Sequence, residues 1–318
     1  MAHPSITVEQ FYKEHGTALQ MRLVAGEANL QRVIREPTVN RPGLALSGFT
    51  NYFAYKRVQV MGNAEVYYLR SLSQKEREAR YAYLFAYKIP CVVFSRGLKP
   101  DAELLAAMDQ AKAPVFQTPL VTMKFINAAT LALEMMFAPR GTELGSMVDI
   151  LGVGVLIRGE SGIGKSEAVL ALIERGYSLV SDDVTRITLQ DGREVIGTSS
   201  ELTRSHMEIR GIGIINVAAM FGVKSIRQEK RLDLVVTLKV WSEVSEVDRV
   251  GIEQEFVKVL GMDIPHIVIP VRPGRDLARL IEVAAFQTKL KMSGHNAAQE
   301  LNERLIAQMS PGQSPPAE

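Results

Sequence analysis

The chain is poor in cysteine, in net charge and in long apolar runs, and each shortage closes a class of function. Its single cysteine, Cys91, cannot build an internal disulfide framework or a multi-cysteine zinc site. The surrounding "KIPCVVFS" reads as a buried strand, which places Cys91 in the core rather than in catalysis. The five histidines are scattered at positions 3, 15, 206, 266 and 295, with no metal-ligand spacing. A formal charge of +2, with Lys and Arg dispersed along the chain, is not the footprint of a nucleic-acid binder. The most apolar stretches, such as "IINVAAMFGV" (214–223), fall far short of a membrane span. The opening "MAHPSITVEQFYKEH" has no apolar h-region, so no secretory signal is expected. A cytoplasmic enzyme or switch, with neither nucleic acid nor membrane as partner, is what these absences leave.

With 318 residues, 47% hydrophobic and 23% charged, the chain has the composition of an ordinary globular protein and room for two domains. No internal repeat is evident. Residues 58–72 and 90–97 carry strand signals, and 101–114 reads as a helix opened by Asp101 and stopped before Pro114. "VFQTP" adds a short strand. Residues 121–141 place Phe125, Ala128, Leu131 and Met135 at helical spacing, closed by Pro139 and Gly141, which predicts a long helix bridging two domains. The boundary is expected near residue 130: an N-terminal α/β domain over 1–130, a second α/β domain over 131–309, and a Pro/Ser/Gly-rich disordered tail over 310–318.

In the second domain "MVDILGVGVLIRG" (147–159) is a strand-rich run leading into "GESGIGKS". Residues Gly159, Glu160, Ser161, Gly162, Ile163, Gly164, Lys165 and Ser166 match G-x-x-x-x-G-K-[ST] in full. Glycines let backbone N–H groups turn inward around phosphate oxygens, and the following helix points its positive end at them. Lys165 would reach the β- and γ-phosphates and Ser166 would hold Mg²⁺. The helix that follows has apolar residues at 169, 172 and 173, and Gly176 suits its end.

Other segments add candidate chemistry. "YSLVSDD" (177–183) is a strand ending on Asp182 and Asp183, two carboxylates suited to orienting a metal and taking a proton, or else a solvated pair in a turn or cap. In "HMEIRGIGIINV" (206–217), Glu208 and Arg210 interrupt an apolar run. Burial of such charges is costly, so they are read as a metal ligand or as an internal ion pair. "PVRPGRD" (270–276) is either a rigid turn with Asp276 capping the helix over 276–292, or a phosphate grip through Arg272 and Arg275. Residues 231–241 are another strand. Arg249, in "EVDRVGIE", would on spacing alone be a surface charge.

Together "MVDILGVGVLIRGESGIGKSE", "LVSDD", "MEIRGIGIINV", "DRVG" and "PVRPGRD" resemble the bacterial HPr kinase/phosphorylase family, as do "RPGLALSGF" and "RVQVMG" nearer the N-terminus. The resemblance covers nearly the whole chain except the tail. It implies a protein-serine kinase that moves phosphate from ATP, or in some members pyrophosphate, to one serine of HPr, the phosphocarrier of the sugar phosphotransferase system. It also implies the reverse phosphorolysis, in which inorganic phosphate attacks and pyrophosphate leaves. By that resemblance Asp183 is base and then acid, Lys165 neutralises the phosphoryl group, Ser166 and Glu208 ligate Mg²⁺, and Arg249 is a further catalytic residue. Residues 207–216, with Arg210, would serve both directions, and 270–275, with Arg272, Gly274 and Arg275, chiefly the dephosphorylation. The implied fold is a Mur-ligase-like N-terminal domain and a P-loop kinase domain of the phosphoenolpyruvate-carboxykinase type, assembled as a homohexamer.

One departure stands out. In "TELGSMVD" Leu144 occupies the place where the family usually carries histidine, and leucine can neither donate a hydrogen bond to phosphate nor exchange a proton. Two other readings of the loop are a small-molecule kinase on the same fold and an ATP-sensing module without turnover. HPr as acceptor separates the first from an HPr kinase, and turnover separates the second.

Overall fold

The structure is a computed structural model that describes residues 5–243 and 254–309. It is a mixed α/β chain that divides into two compact units, Met1–Ala138 and Pro139–Glu318. The compact units part at Pro139. The helix Thr122–Phe137 therefore belongs wholly to the first unit rather than bridging the two. Its buried stripe also differs from the expected one: Phe125, Ala129, Ala132, Leu133 and Phe137 face the core, while Leu131 and Met135 are exposed. Apolar residues are dense enough there to suggest either face, and only packing against the sheet chooses between them.

In the first unit five strands are ordered Arg22–Ala25, Val115–Gln117, Val92–Phe94, Val58–Met61 and Val39–Asn40. All neighbours are parallel except the antiparallel edge strand Arg22–Ala25. The central strands are short runs of mainly Val, Phe and Met buried on both faces, as parallel strands covered by helices must be, with the buried Gln59 amide donating to the Ala54 and Arg57 carbonyls. Residues 58–72 are not one strand. The strand stops at Met61 and a helix runs over Asn63–Arg70, because the Glu65 carboxylate turns back to accept the Gly62 N–H at 2.9 Å. Asp101 caps its helix as expected, accepting the Leu104 N–H at 2.7 Å. Cys91 is fully buried, and burial pushes its thiol up to about 12.

The second unit is built on six strands ordered Ser178–Ser181, Ser146–Ile150, Val153–Gly159, Leu234–Val240, Met262–Val271 and Glu255–Val259. Val153–Gly159, Leu234–Val240 and Met262–Val271 are parallel, with Gly159 level with Leu238 and Leu238 with Ile269. Ser178–Ser181 runs the same way, since it and Val153–Gly159 are both antiparallel to Ser146–Ile150. Four strands thus end at one edge, where open α/β sheets hold their ligands.

Side-chain alternation feeds two cores. Val148, Val155 and Ile157 pack with Val169, Leu172 and Ile281 of the helices Lys165–Glu174 and Leu277–Met292. On the other face Met147, Leu156 and Val235 meet Ile187 and Val195 of a four-stranded antiparallel sheet. A strand covered on both sides has no polar face, hence the apolar run over 153–157; in the neighbouring strand the exception, Asp149, is buried but paired with Arg227 at 2.7 Å. Gly154 is required by close approach: a Cβ there would lie 1.8 Å from the Arg231 carbonyl oxygen.

Candidate active site

The glycines of the phosphate loop supply backbone conformations that a side chain would strain. Gly159, Gly162 and Gly164 have φ of 154°, 84° and 101°, and Gly164 is the residue from which the helix Lys165–Glu174 starts. The loop leaves the sheet at Gly159 and hands its first free helical amides to the hollow beside it.

That hollow is a cavity of about 200 Å³ lined by Ser161, Gly162, Gly164, Lys165, Ser166, Glu167, Asp183, Glu208 and Arg210. Four separate segments meet in it: the loop, its helix, the end of the strand Ser178–Ser181, and the hairpin of His206–Ile209 with Gly213–Asn216. Its cations already have partners. Lys165 Nζ donates to the Gly159 and Glu160 carbonyls, each at 2.8 Å. Arg210 Nη2 donates to Ser161 Oγ at 2.6 Å, drawing the hairpin over the loop.

The two aspartates separate in role. Asp183 sits at φ 54°, a left-handed turn that Asp tolerates, and it lines the cavity. Asp182 faces the protein: Ser146 Oγ donates to its Oδ1 at 2.7 Å and the Glu208 N–H to its Oδ2 at 3.1 Å. Burial raises the Asp182 carboxyl above its ordinary 3.8, against the pull of those two donors. Asp182 thus braces the Glu208 hairpin against the strand end that carries Asp183. Sequence reasoning did not find this brace, nor its partner Ser146. A serine buried completely at the head of an apolar strand was the available signal, since such a hydroxyl needs a partner.

Glu208 and Arg210 are not buried charges. Met207 and Ile209 fill the core while Glu208, on the other face of that strand, and Arg210, just past its end, are exposed, and Ile212 and Ile214 are exposed as well. The run is a hairpin with one dry face, and Arg210 turns to Ser161 rather than to Glu208.

The "PVRPGRD" turn stands at the carboxyl end of Met262–Val271, on the same sheet edge but outside the cavity lining. Arg272 lies over Trp241, its Cζ 3.2 Å from the ring centroid, and Arg275 Nη1 donates to the Pro270 carbonyl at 3.0 Å. Gly274 takes φ 80°. Asp276 caps the helix through the Arg279 N–H at 2.9 Å and also accepts from Arg175 at 2.7 Å. A Cβ on Gly164 would meet Leu277 at 3.4 Å, so the turn delivers its helix directly to the phosphate loop. Leu144 is exposed and paired across the strands with Val184, and the neighbouring Gly145 N–H donates to the Asp183 carbonyl at 2.7 Å. Arg249 lies outside the described residues.

Among the described residues no cluster of three His, Cys, Asp or Glu side chains is arranged for a metal. Ser166 and Glu208 nonetheless bring hard oxygen donors to one cavity. That donor set fits Mg²⁺, which binds through one or two protein oxygens and completes its shell with phosphate and water. Among the described residues no helix is long and apolar enough to cross a membrane.

Comparison with known proteins bears on the whole chain. The HPr Serine kinase N terminus family matches residues 6–133 and the HPr Serine kinase C-terminal domain family residues 135–305. The HPr kinase/phosphorylase of Leptospira biflexa is 39% identical over 307 residues, covering 96% of this chain and 95% of the relative. That of Geobacter sulfurreducens is 41% identical over 305 residues, covering 96% of each. A solved Hpr(Ser) kinase/phosphatase from Coxiella burnetii is 34% identical, covers 51% of this chain and 99% of its own, and gives a TM-score of 0.47.

Proposed function

This chain belongs to the HPr kinase/phosphorylase family, and from that premise we propose that it is an Mg²⁺-dependent kinase of one serine of HPr, or of an HPr relative. ATP, or pyrophosphate in its place, is the donor, and inorganic phosphate reverses the transfer. The observation that carries this reading is that Asp183 and Glu208 line the same cavity as Lys165 and Ser166. Cations and loop amides suffice to hold a phosphate; a carboxylate beside them serves proton transfer or a metal.

In the forward direction Asp183 takes the proton of the serine hydroxyl as its oxygen attacks the terminal phosphorus and the bond to the leaving phosphate oxygen breaks. In reverse, an inorganic phosphate oxygen attacks the phosphoserine phosphorus, the bond from phosphorus to the serine oxygen breaks as Asp183 returns its proton, and the pyrophosphate so formed is released. Lys165 exchanges the Gly159 and Glu160 carbonyls for the transferred phosphoryl group. Ser166 and Glu208 would hold Mg²⁺, which when bound neutralises charge on the donor's phosphate oxygens. Arg210 caps the loop, Arg249 acts as a further catalytic residue, and Arg272, Gly274 and Arg275 serve mainly the phosphorolysis. The finer assignments go with this proposal: a Mur-ligase-like first unit, a carboxykinase-like second unit, catalytic competence of residues 131–309, a cytoplasmic location and a homohexamer.

The test is label transfer from γ-labelled ATP with Mg²⁺ to HPr in wild-type and serine-to-alanine forms, followed by removal of ATP and addition of inorganic phosphate. Label on wild-type HPr alone, later released as pyrophosphate, is the expected result. Label that stays on HPr would make this a one-way kinase, with Leu144 as the first residue to restore to histidine. ATP bound without any transfer would replace the proposal with a nucleotide-sensing module.

A further inference from the structure

Parts of the candidate site that lie apart around the cavity meet again behind it, on one buried carboxylate. Glu282 stands in the second turn of the helix Leu277–Met292 and is only 7% exposed. Its two oxygens accept from three side chains: the Tyr177 hydroxyl, Arg175 Nη1 at 3.1 Å and Arg279 Nη1 at 3.0 Å. Arg175 Nη2 donates in turn to Asp276, the last residue of the "PVRPGRD" turn, at 2.7 Å. Arg175 closes the helix Lys165–Glu174, whose other end is the phosphate loop. Tyr177 precedes the strand Ser178–Ser181, which runs on to Asp183. Loop helix, strand and turn are thus all bonded to one small cluster of charge.

Packing of the two helices does not call for charge here. Val169, Leu172, Ile281 and Ala285 already share one apolar cluster. A buried ion pair adds little stability over such contacts, because desolvation offsets most of its attraction. What a fork of directional hydrogen bonds adds is a set distance and angle. The Tyr177 hydroxyl, ahead of the arginines, holds the Glu282 carboxyl below its ordinary 4.5, so the acceptor stays charged at neutral pH. The Arg175 guanidinium joins the two carboxylates, whereas Arg279 reaches Asp276 through its backbone N–H, at 2.9 Å. Arg175 therefore ties the turn to the far end of the helix that begins at the phosphate loop.

We propose that Arg175 is a positioning residue: acting through Asp276 and Glu282, it sets Arg272 and Arg275 of the turn against the phosphate loop to receive inorganic phosphate. The inference rests on the assignment of that turn mainly to the phosphorolysis. Transfer from the nucleotide uses Lys165, Ser166, Asp183 and Glu208 instead, so the two reactions should part when Arg175 is lost. Its removal leaves Tyr177 on Glu282, and the strand that leads to Asp183 keeps its anchor. It also leaves each carboxylate a donor, Arg279 Nη1 for Glu282 and the Arg279 N–H for Asp276, so no buried charge is stranded.

The experiment compares Arg175→Met with wild type on the full chain. KM for inorganic phosphate should rise roughly tenfold, as for the loss of one good hydrogen bond, while phosphorolysis kcat and label transfer from ATP to HPr stay nearly unchanged. The chain's sole tryptophan, Trp241, lies beneath Arg272, so acrylamide quenching of its emission follows the turn without any turnover. Quenching should increase in Arg175→Met and return part of the way in Arg175→Lys, whose compact ammonium lacks the fork that joins two carboxylates. Arg175→Lys also carries the test if the methionine variant does not fold. Unchanged quenching, or equal losses in both reactions, overturns the inference. A wild type that moves no phosphate in either direction would instead defeat the reading of the site, and quenching would then decide about Arg175 alone.

Discussion

Two hollows in this protein are lined by cations, and they differ in one ingredient. The cavity of the second unit sets Lys165 and Arg210 beside Asp183 and Glu208, whereas the pocket of the first unit has, among the described residues, five cations and no carboxylate. A carboxylate next to a phosphate site works against binding, since like charges repel. Its presence is explained by what it does during a reaction: accept a proton or hold a metal. A site that only retains its ligand gains nothing from one. Both hollows also hold a non-glycine residue in the left-handed region, Asp183 at φ 54° and Lys112 at φ 52°, so the backbone is locally strained at each.

The contrast is most sharply tested at Asp183. Asp183→Asn should lower turnover roughly 10²–10⁴-fold with nucleotide affinity nearly unchanged, measured by label transfer beside calorimetry. Wild-type turnover would end its assignment as the base. Next in size is Glu208→Gln, which should raise the Mg²⁺ concentration for half-maximal activity by about tenfold or more, judged from the 10–100-fold typical of weaker perturbations around a metal. An unchanged Mg²⁺ titration would remove Glu208 from the metal.

Asp182 sharpens the comparison from behind the cavity wall, because it is a carboxylate assigned to bracing. Asp182→Asn keeps an acceptor, so turnover should fall no more than about tenfold, less than at Asp183. Its effect on stability should depend on pH. The folded carboxyl titrates above 3.8, so its contribution is most favourable below pH 3.8 and is lost as pH rises through the folded value. Relative to wild type, the variant's melting temperature should therefore be higher at pH 7 than at pH 4. A pH-independent difference would deny the burial cost.

The smallest effect is expected at Lys112. Replacing it by glycine should relieve the left-handed strain and raise stability by up to about 1 kcal/mol, partly offset by the freer unfolded chain. A variant with an unchanged melting temperature would show that little strain is held at that position.

The two hollows also differ in how far they can be read from sequence. The phosphate loop is legible because its requirements are local: glycines at fixed spacing, a strand before and a helix after. Glu208 and Arg210 are conspicuous in sequence, yet they mislead about burial. Charge within an apolar run suggests a buried pair or ligand, whereas the run folds into a hairpin that puts Met207 and Ile209 inside and the charges outside. The basic pocket is illegible. Its cations lie between positions 32 and 112, with no spacing that the chain itself displays, and only parallel pairing of strands brings their preceding loops together. Dispersed basic residues read as solvated surface until the topology is known. The division between units is hidden for a similar reason: a helix carries no mark of which neighbour it will pack against.

Lys165 is engaged by the Gly159 and Glu160 carbonyls and Arg210 by Ser161 Oγ. An arriving phosphate therefore competes with acceptors the protein already supplies. What changes is the acceptor, from neutral oxygen to oxyanion. A neutral mimic with the same shape and the same acceptors would gain nothing from that exchange, so the loop selects its cargo by charge before shape.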